Sequence, residues 1–293
     1  MPTLTDQEFA TAHSLIRAAL AADLQDAGDL TSQAVLPAGI EATVNVVART
    51  EGRLAGVPIA EAVFDEMPGD VTWRSALSDG DTLSDGVVIA SITGPVRLLL
   101  SGERTALNFL THLSGVATLT QQFVSVVEGT KAVILDTRKT LPGYRHLQKY
   151  AVRCGGGTNH RMGLFDAILI KDNHLAFLDE ANRAIGEVLK SARRFAQANG
   201  GVTVEVEVDT LDQLAAALPA NPDIVLLDNM PPETLREAVR MRDESAQGVQ
   251  LEASGGVNLQ TVRAIAETGV DRISIGALTH SAPNLDIAFD WPT

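Results

Sequence analysis

The sequence predicts an α/β protein in two parts, a small α+β domain followed by a longer stretch in which short apolar strands alternate with helices. Three observations carry that reading. Between residues 44 and 93 the chain consists of β-rich pieces separated by Gly and Asp turns, with little helix between them. After Gly129, short apolar segments recur with helical patterns between them. The 293 residues, 45% hydrophobic and 20% charged, hold enough apolar material for one large domain or two unequal ones, which excludes disorder as the main state.

Taken in order, residues 5 to 22 form an expected amphipathic helix, with Phe9, Ala12, Leu15, Ile16 and Leu20 spaced at three and four. Strand-like pieces follow at 43–48 and 86–91. A long helical pattern runs from about 96 to 127, with an interruption expected at Ser114-Gly115. Strands are then expected at 132–135, 167–170, 202–206, 224–227, 249–253 and 272–275. Ala181, Ala184, Ile185, Val188, Leu189, Ala192, Phe195 and Ala196 make one apolar helical stripe that Gly200-Gly201 stops, and shorter helices follow near 211–218, 233–243 and 258–268. Such alternation implies parallel strands joined by right-handed crossovers. A sheet of about six or seven strands can close as an incomplete barrel or stay open and doubly wound. The lack of a G-x-G-x-x-G after the first strand favours the barrel.

Composition narrows the function. No run of about 18 uncharged apolar residues occurs, and the first residues, Met1 to Asp6, have neither the basic start nor the apolar core of a secretion signal, so a soluble, cytoplasmic chain is expected. The lone Cys154 excludes an internal disulfide and a cysteine-based zinc site, and is expected to be packed rather than nucleophilic. Aromatics at 4% argue against base-stacking platforms, and a net charge of −14 repels nucleic acid and anionic membranes. Charge is unevenly spread. Residues 131–171 carry eight Lys and Arg against Asp136 and Asp166 alone, with His146 and His160 interleaved and His174 just beyond. A basic island in an acidic chain suits a small, highly charged anionic ligand.

The polar residues fall where each apolar strand ends. In order these are Asp136-Thr137-Arg138-Lys139, Lys171-Asp172-Asn173-His174, Glu207, Asp228-Asn229, Ser254-Gly255-Gly256 and Gly276-Ala277. In a parallel barrel such ends open on one face, which carries the active site. The two glycine turns suit phosphate, bound by backbone N–H groups. Glu207 and Asp228, ending adjacent strands, are candidate Mg²⁺ ligands, and Glu205 shares their face of the strand and competes for the role. Arginines of the island suit planar carboxylates. Lys171 serves either as a cation for phosphate or as a Schiff-base amine.

With these residues in hand, the chain resembles the quinolinate phosphoribosyltransferases. The likeness covers most of the chain. It is carried by Arg104-Thr105-Ala106-Leu107-Asn108, Leu113 to Thr118, Asp136 to Gly143, Gly155-Gly156-Gly157 with His160-Arg161, and Ile170 to His174. It continues through Glu205 to Val208, Leu227-Asp228-Asn229, Glu252 to Gly256 and Gly276 to His280. One departure is visible, since the family's acidic turn after the first helix reads Ala22-Asp23-Leu24-Gln25 here.

The resemblance implies an N-terminal α/β sandwich domain (1–115), an incomplete α/β barrel (116–276) and a tail (277–293) that returns to the first domain. It implies transfer of a phosphoribosyl group from 5-phosphoribosyl 1-pyrophosphate to quinolinate with decarboxylation, aided by Mg²⁺. The active form would be a homodimer or higher even oligomer with shared sites, into which Arg104 reaches from the neighbouring subunit. Arg138, His160, Arg161 and Lys171 match positions that hold the quinolinate carboxylates. Lys139, Lys171, Glu207 and Asp228 match those around the pyrophosphate and its metal. Ser254, Gly255, Gly256, Gly276 and His280 match the 5′-phosphate end. The rival expectations are a molybdenum-transport-associated paralogue acting on another acceptor, a Schiff-base aldolase, and a non-catalytic phosphate-binding barrel.

Overall fold

The computed structural model describes residues 2–179 and 184–291. They fall into two compact units, one made of Met1–Gln121, Thr140–Gly156 and Leu278–Thr293, the other of Gln122–Lys139 and Gly157–Ala277.

The first unit begins with α1 (Asp6–Leu24) and α2 (Leu30–Val35). Next come β1 (Glu41–Ala48), β2 (Gly52–Arg53), α3 (Val57–Asp65), β3 (Thr72–Ser75), β4 (Thr82–Leu83) and β5 (Val88–Pro95). Thr5 starts α1 with a reciprocal capping box to Glu8, and Asp29 caps α2 by accepting from the Ser32 amide. An antiparallel sheet holds β1 between β5 and the last strand of the chain, with β3 outside β5. Phe64 of α3 packs its ring 6.1 Å from Trp73 of β3 and 6.5 Å from Phe289, which fixes α3 on this sheet. The start of α3 is secured by buried Asp79, whose carboxylate accepts from the Gly56 and Val57 amides and from the Tyr150 hydroxyl.

Helix α4 (Val96–Val126) runs unbroken through Ser114-Gly115, where the sequence led us to expect an interruption. The glycine serves a close approach instead. A Cβ on Gly115 would lie 2.0 Å from the Pro283 carbonyl oxygen, so only glycine admits the returning tail there. A mid-helix glycine costs roughly 1 kcal/mol in propensity, which packing of a long helix absorbs.

The remaining elements are β6 (Val133–Leu135), α5 (Arg145–Cys154), β7 (Ala167–Ile170), α6 (Asp172–Asp179), α7 (Ile185–Ala198), β8 (Thr203–Val208) and α8 (Leu211–Ala217). They continue with β9 (Ile224–Asp228), α9 (Pro232–Ser245), β10 (Gln250–Ser254), α10 (Val262–Ala266), β11 (Arg272–Ser274), α11 (Ala277–His280) and β12 (Ile287–Asp290). β12 is the tail strand that pairs antiparallel with β1, Asn45 facing Asp290. Ala181 of the expected stripe lies outside the described residues.

Among the described residues, the second unit holds six parallel strands in the order β6-β11-β10-β9-β8-β7. Each of these six strands forms within two residues of its expected ends, because each carries Val, Ile or Leu at strand spacing and is bounded by turn residues. Strand β8 shows how the unit is built. Its Val204, Val206 and Val208 alternate with Glu205 and Glu207, yet all five are buried. Helices α7 and α8 pack on β8 outside, so the polar face of the strand is turned inward. A polar interior is a costly way to fill a barrel unless the charges are matched or used.

Candidate active site

The inward faces and C-terminal ends of all six parallel strands border one cavity of about 550 Å³. Thr137, Arg138 and Lys139 enter after β6, and Leu169 and Lys171 from β7 and its end. Glu207 comes from β8, Leu226, Asp228 and Asn229 from β9, Ser254, Gly255 and Gly256 from β10, and Ser274 from β11. His160 and Arg161 enter on the loop before β7.

One wall is cationic. Arg161 donates from Nη1 to the Ala167 carbonyl at 3.1 Å. Burial and then the nearby positive charge of Arg138 hold its pKa below the usual arginine range. Arg138 keeps its Nε buried without a hydrogen-bond partner. Two like charges in a half-buried wall, one with an unanswered donor, form a site tuned for an anion with oxygens to accept from both.

Below this wall lies a buried polar layer. His160 Nε2 is 3.3 Å from an oxygen of Glu205 and 3.3 Å from one of Glu252, and Arg272 grips the other Glu252 oxygen at 2.8 Å. Burial disfavours the charged ring and the Glu205 and Glu252 carboxylates favour it, a net push upward. At the opposite ring position, Nδ1 accepts from the Arg161 amide at 2.7 Å. The ligand atoms of His160, Glu205 and Glu252 lie within 4.8 Å of one another, a spacing a metal ion could use. The amide donated to Nδ1 instead fixes the ring hydrogen at Nε2, where a cation would have to bind, and Arg272 already supplies positive charge.

The other wall is acidic. Lys171 Nζ is 2.7 Å from Glu207 Oε2, an ion pair that engages the amine and works against the Schiff-base role. Burial and then the charge of Glu207 raise the Asp228 pKa. Two carboxylates on adjacent strands, with hard oxygen donors, fit a divalent Mg²⁺ completed by water and substrate oxygens. Glu207, rather than Glu205, lines the cavity.

The glycine turn after β10 is shaped by Asn229. This residue takes a left-handed φ of 53°, donates its amide to the Ser254 carbonyl at 2.9 Å and its side-chain nitrogen to Asp228 at 2.6 Å. Gly255 has φ 94°, and a Cβ there would meet Asn229 Oδ1 at 2.2 Å. The ends of β9 and β10 are therefore locked together, with Gly255 and Gly256 bordering the cavity, as close approach of a phosphate requires.

Not all expected site residues border this cavity. Gly276, two residues beyond β11, is half-buried and outside its lining. Arg104 is exposed on α4 and His280 is exposed at the end of α11, both in the first unit. Thr137 and Asn229, named at strand ends but given no role, line the cavity, as does Ser274, which the sequence does not mark. Cys154 is buried, and burial together with Asp79 pushes its thiol up to about 12, which suits packing and not nucleophilic attack.

Parallel strands that deliver paired guanidiniums, lysines, two metal-suited carboxylates and a glycine turn to one cavity define an α/β-barrel site for anionic, phosphate-bearing small molecules. Comparison with known proteins gives the family. The C-terminal domain of quinolinate phosphoribosyl transferase matches residues 116–290 and its N-terminal domain residues 29–114. The chain is 47% identical over 289 residues to the nicotinate-nucleotide pyrophosphorylase (carboxylating) of Mycobacterium leprae, covering 98% of this chain and 99% of that one. It is 37% identical over 292 residues to quinolinate phosphoribosyltransferase (decarboxylating) 1b of Nicotiana tabacum, covering 95% and 82%. The solved nicotinate-nucleotide pyrophosphorylase of Francisella tularensis superposes with a TM-score of 0.88 at 39% identity, covering 97% of this chain and 96% of that one. NadC from Streptococcus pyogenes gives 0.90 at 35%, covering 100% of both chains. The chain belongs to the quinolinate phosphoribosyltransferase family.

Proposed function

We propose that this chain transfers the phosphoribosyl group of 5-phosphoribosyl 1-pyrophosphate to the ring nitrogen of quinolinate, with release of pyrophosphate and CO₂ and formation of nicotinate mononucleotide for NAD synthesis. The observation that carries the reading is the Arg138–Arg161 wall, where two neighbouring guanidiniums border the cavity and suit an acceptor of planar oxygens.

In this reading Arg138 and Arg161 hold the two carboxylates and so aim the pyridine nitrogen at the ribose carbon. Lys139 and Lys171 face the pyrophosphate and stabilise the charge it gathers as its bond to ribose breaks. Glu207 and Asp228 hold Mg²⁺, which when bound neutralises part of that leaving-group charge. Backbone N–H groups at Ser254, Gly255 and Gly256, with Gly276 beyond β11, take the 5′-phosphate, and family likeness adds His280 there. No protein nucleophile is needed. Once the ring nitrogen is bonded to ribose its positive charge stabilises the electron pair left as CO₂ departs, and a proton takes the vacated carbon.

The same reading makes the active species a homodimer in which exposed Arg104 serves the partner's cavity, and makes the enzyme cytoplasmic, where both substrates are small soluble anions. No helix among the described residues is long and apolar enough to cross a membrane. The test is an assay of nicotinate mononucleotide, pyrophosphate and CO₂ with quinolinate or nicotinate as acceptor. Equimolar products from quinolinate alone are expected. Turnover of nicotinate, or no turnover of quinolinate, refutes the reading.

A further inference from the structure

Arg161 reaches the cavity from a loop, so its aim depends on whatever fixes residues 157–161. Asp136, fully buried at the end of β6, fixes one side. Its Oδ1 accepts from the His160 amide at 2.9 Å and its Oδ2 from Asn159 Nδ2 at 2.6 Å. Thr158 extends this grip as a short parallel bridge to Leu135, donating to the Ile134 carbonyl at 2.8 Å. The other side is fixed by the His160 ring. Nδ1 takes the Arg161 amide, while Nε2 is anchored between Glu205 and Glu252, the latter held by Arg272. Both ring nitrogens are thus engaged within the protein, although the residue lines the cavity.

We propose that Asp136 and His160 are positioning residues for Arg161, clamping the backbone on its N-terminal side so that the guanidinium meets one substrate carboxylate at a fixed place. His160 then serves quinolinate recognition as a strut and not as a carboxylate donor. The inference rests on the function proposed above and gives Asp136 a part in it. Misplacing a binding group by about an ångström can cost up to about a hundredfold in rate, so a loosened clamp should show in catalysis before it shows in folding.

The test is steady-state kinetics of the full-length chain with both substrates varied. Asp136→Ala and His160→Ala should each raise KM for quinolinate about tenfold or more while KM for 5-phosphoribosyl 1-pyrophosphate stays within about twofold. Asp136→Asn keeps an oxygen for the His160 amide and can exchange hydrogen bonds with a turned Asn159 amide, so it should restore the quinolinate KM to within about threefold. If Asp136→Ala does not fold, Asn159→Ala decides, since it removes the donor to Oδ2 and leaves Asp136 in place, and the same split at about three- to tenfold is expected. Parallel changes in both KM values, or no change in a folded variant, overturn the proposal. Wild-type protein that does not turn over quinolinate defeats the functional reading first, an outcome distinct from an active wild type whose variants show no split.

Discussion

Replacing Arg161 by Ala separates recognition from stability. The guanidinium is assigned a carboxylate, and two charge-assisted hydrogen bonds at about 1.5–3 kcal/mol each amount to about 3–6 kcal/mol. That predicts a fall of about a hundred- to ten-thousand-fold in kcat/KM for quinolinate. Stability should hardly move. The variant gives up the contact to the Ala167 carbonyl, worth about 1 kcal/mol, but also removes the like charge that Arg138 opposes. The urea midpoint should therefore stay within the equivalent of about 1 kcal/mol of wild type. Binding of 5-phosphoribosyl 1-pyrophosphate with Mg²⁺, read by calorimetry, should change less than about threefold, because Arg161 is given no part in holding it. Equal loss for both substrates, or unchanged quinolinate kinetics, would refute the reasoning.

Other substitutions probe other parts of the molecule. Gly115→Ala sets a Cβ 2.0 Å from the Pro283 carbonyl and should cost about 2–3 kcal/mol in urea unfolding, whereas a helix-propensity argument alone expects a gain. Glu8→Gln breaks a two-pronged pair with Arg153, at 2.8 and 2.9 Å, and should cost about 2–4 kcal/mol near pH 7. Burial raises the Glu8 pKa, yet Arg153 and the Thr5 amide outweigh it, so the folded pKa is lowered. The stabilisation is then full above the unfolded value of 4.5 and lost as pH falls through the folded one, so the gap between wild type and variant should close in acid. Mixing inactive Arg104→Ala with inactive Lys171→Ala should restore up to about a quarter of wild-type activity if sites are shared across a two-fold dimer, and none after verified subunit exchange if they are not.

Much of this molecule is legible in its sequence because the relevant signals are local. Each parallel strand announces itself as a short apolar run, and the polar residue after it is placed at the barrel mouth by the fold alone. Arg138, Lys139, Lys171, Glu207, Asp228 and Ser254 were found that way, and the structure brings them to one cavity. What escaped depends on partners distant in the chain. Asp136 looks like one more strand-end acid until its oxygens are seen to meet residues 159 and 160. Gly115 reads as a helix breaker because the carbonyl it accommodates comes from residue 283. Glu205 and Glu207 are equivalent by alternation, and only the position of His160 separates the buried anchor from the cavity carboxylate.

The central claim is that the basic wall at Arg138 and Arg161 holds a pyridine dicarboxylate. A crystal structure with quinolinate tests it most directly. One carboxylate is expected on the Arg138 guanidinium, the other on the Arg161 guanidinium, with the ring nitrogen facing the Lys171–Glu207–Asp228 wall. Quinolinate bound away from the two arginines, or with its nitrogen turned from that wall, would contradict it.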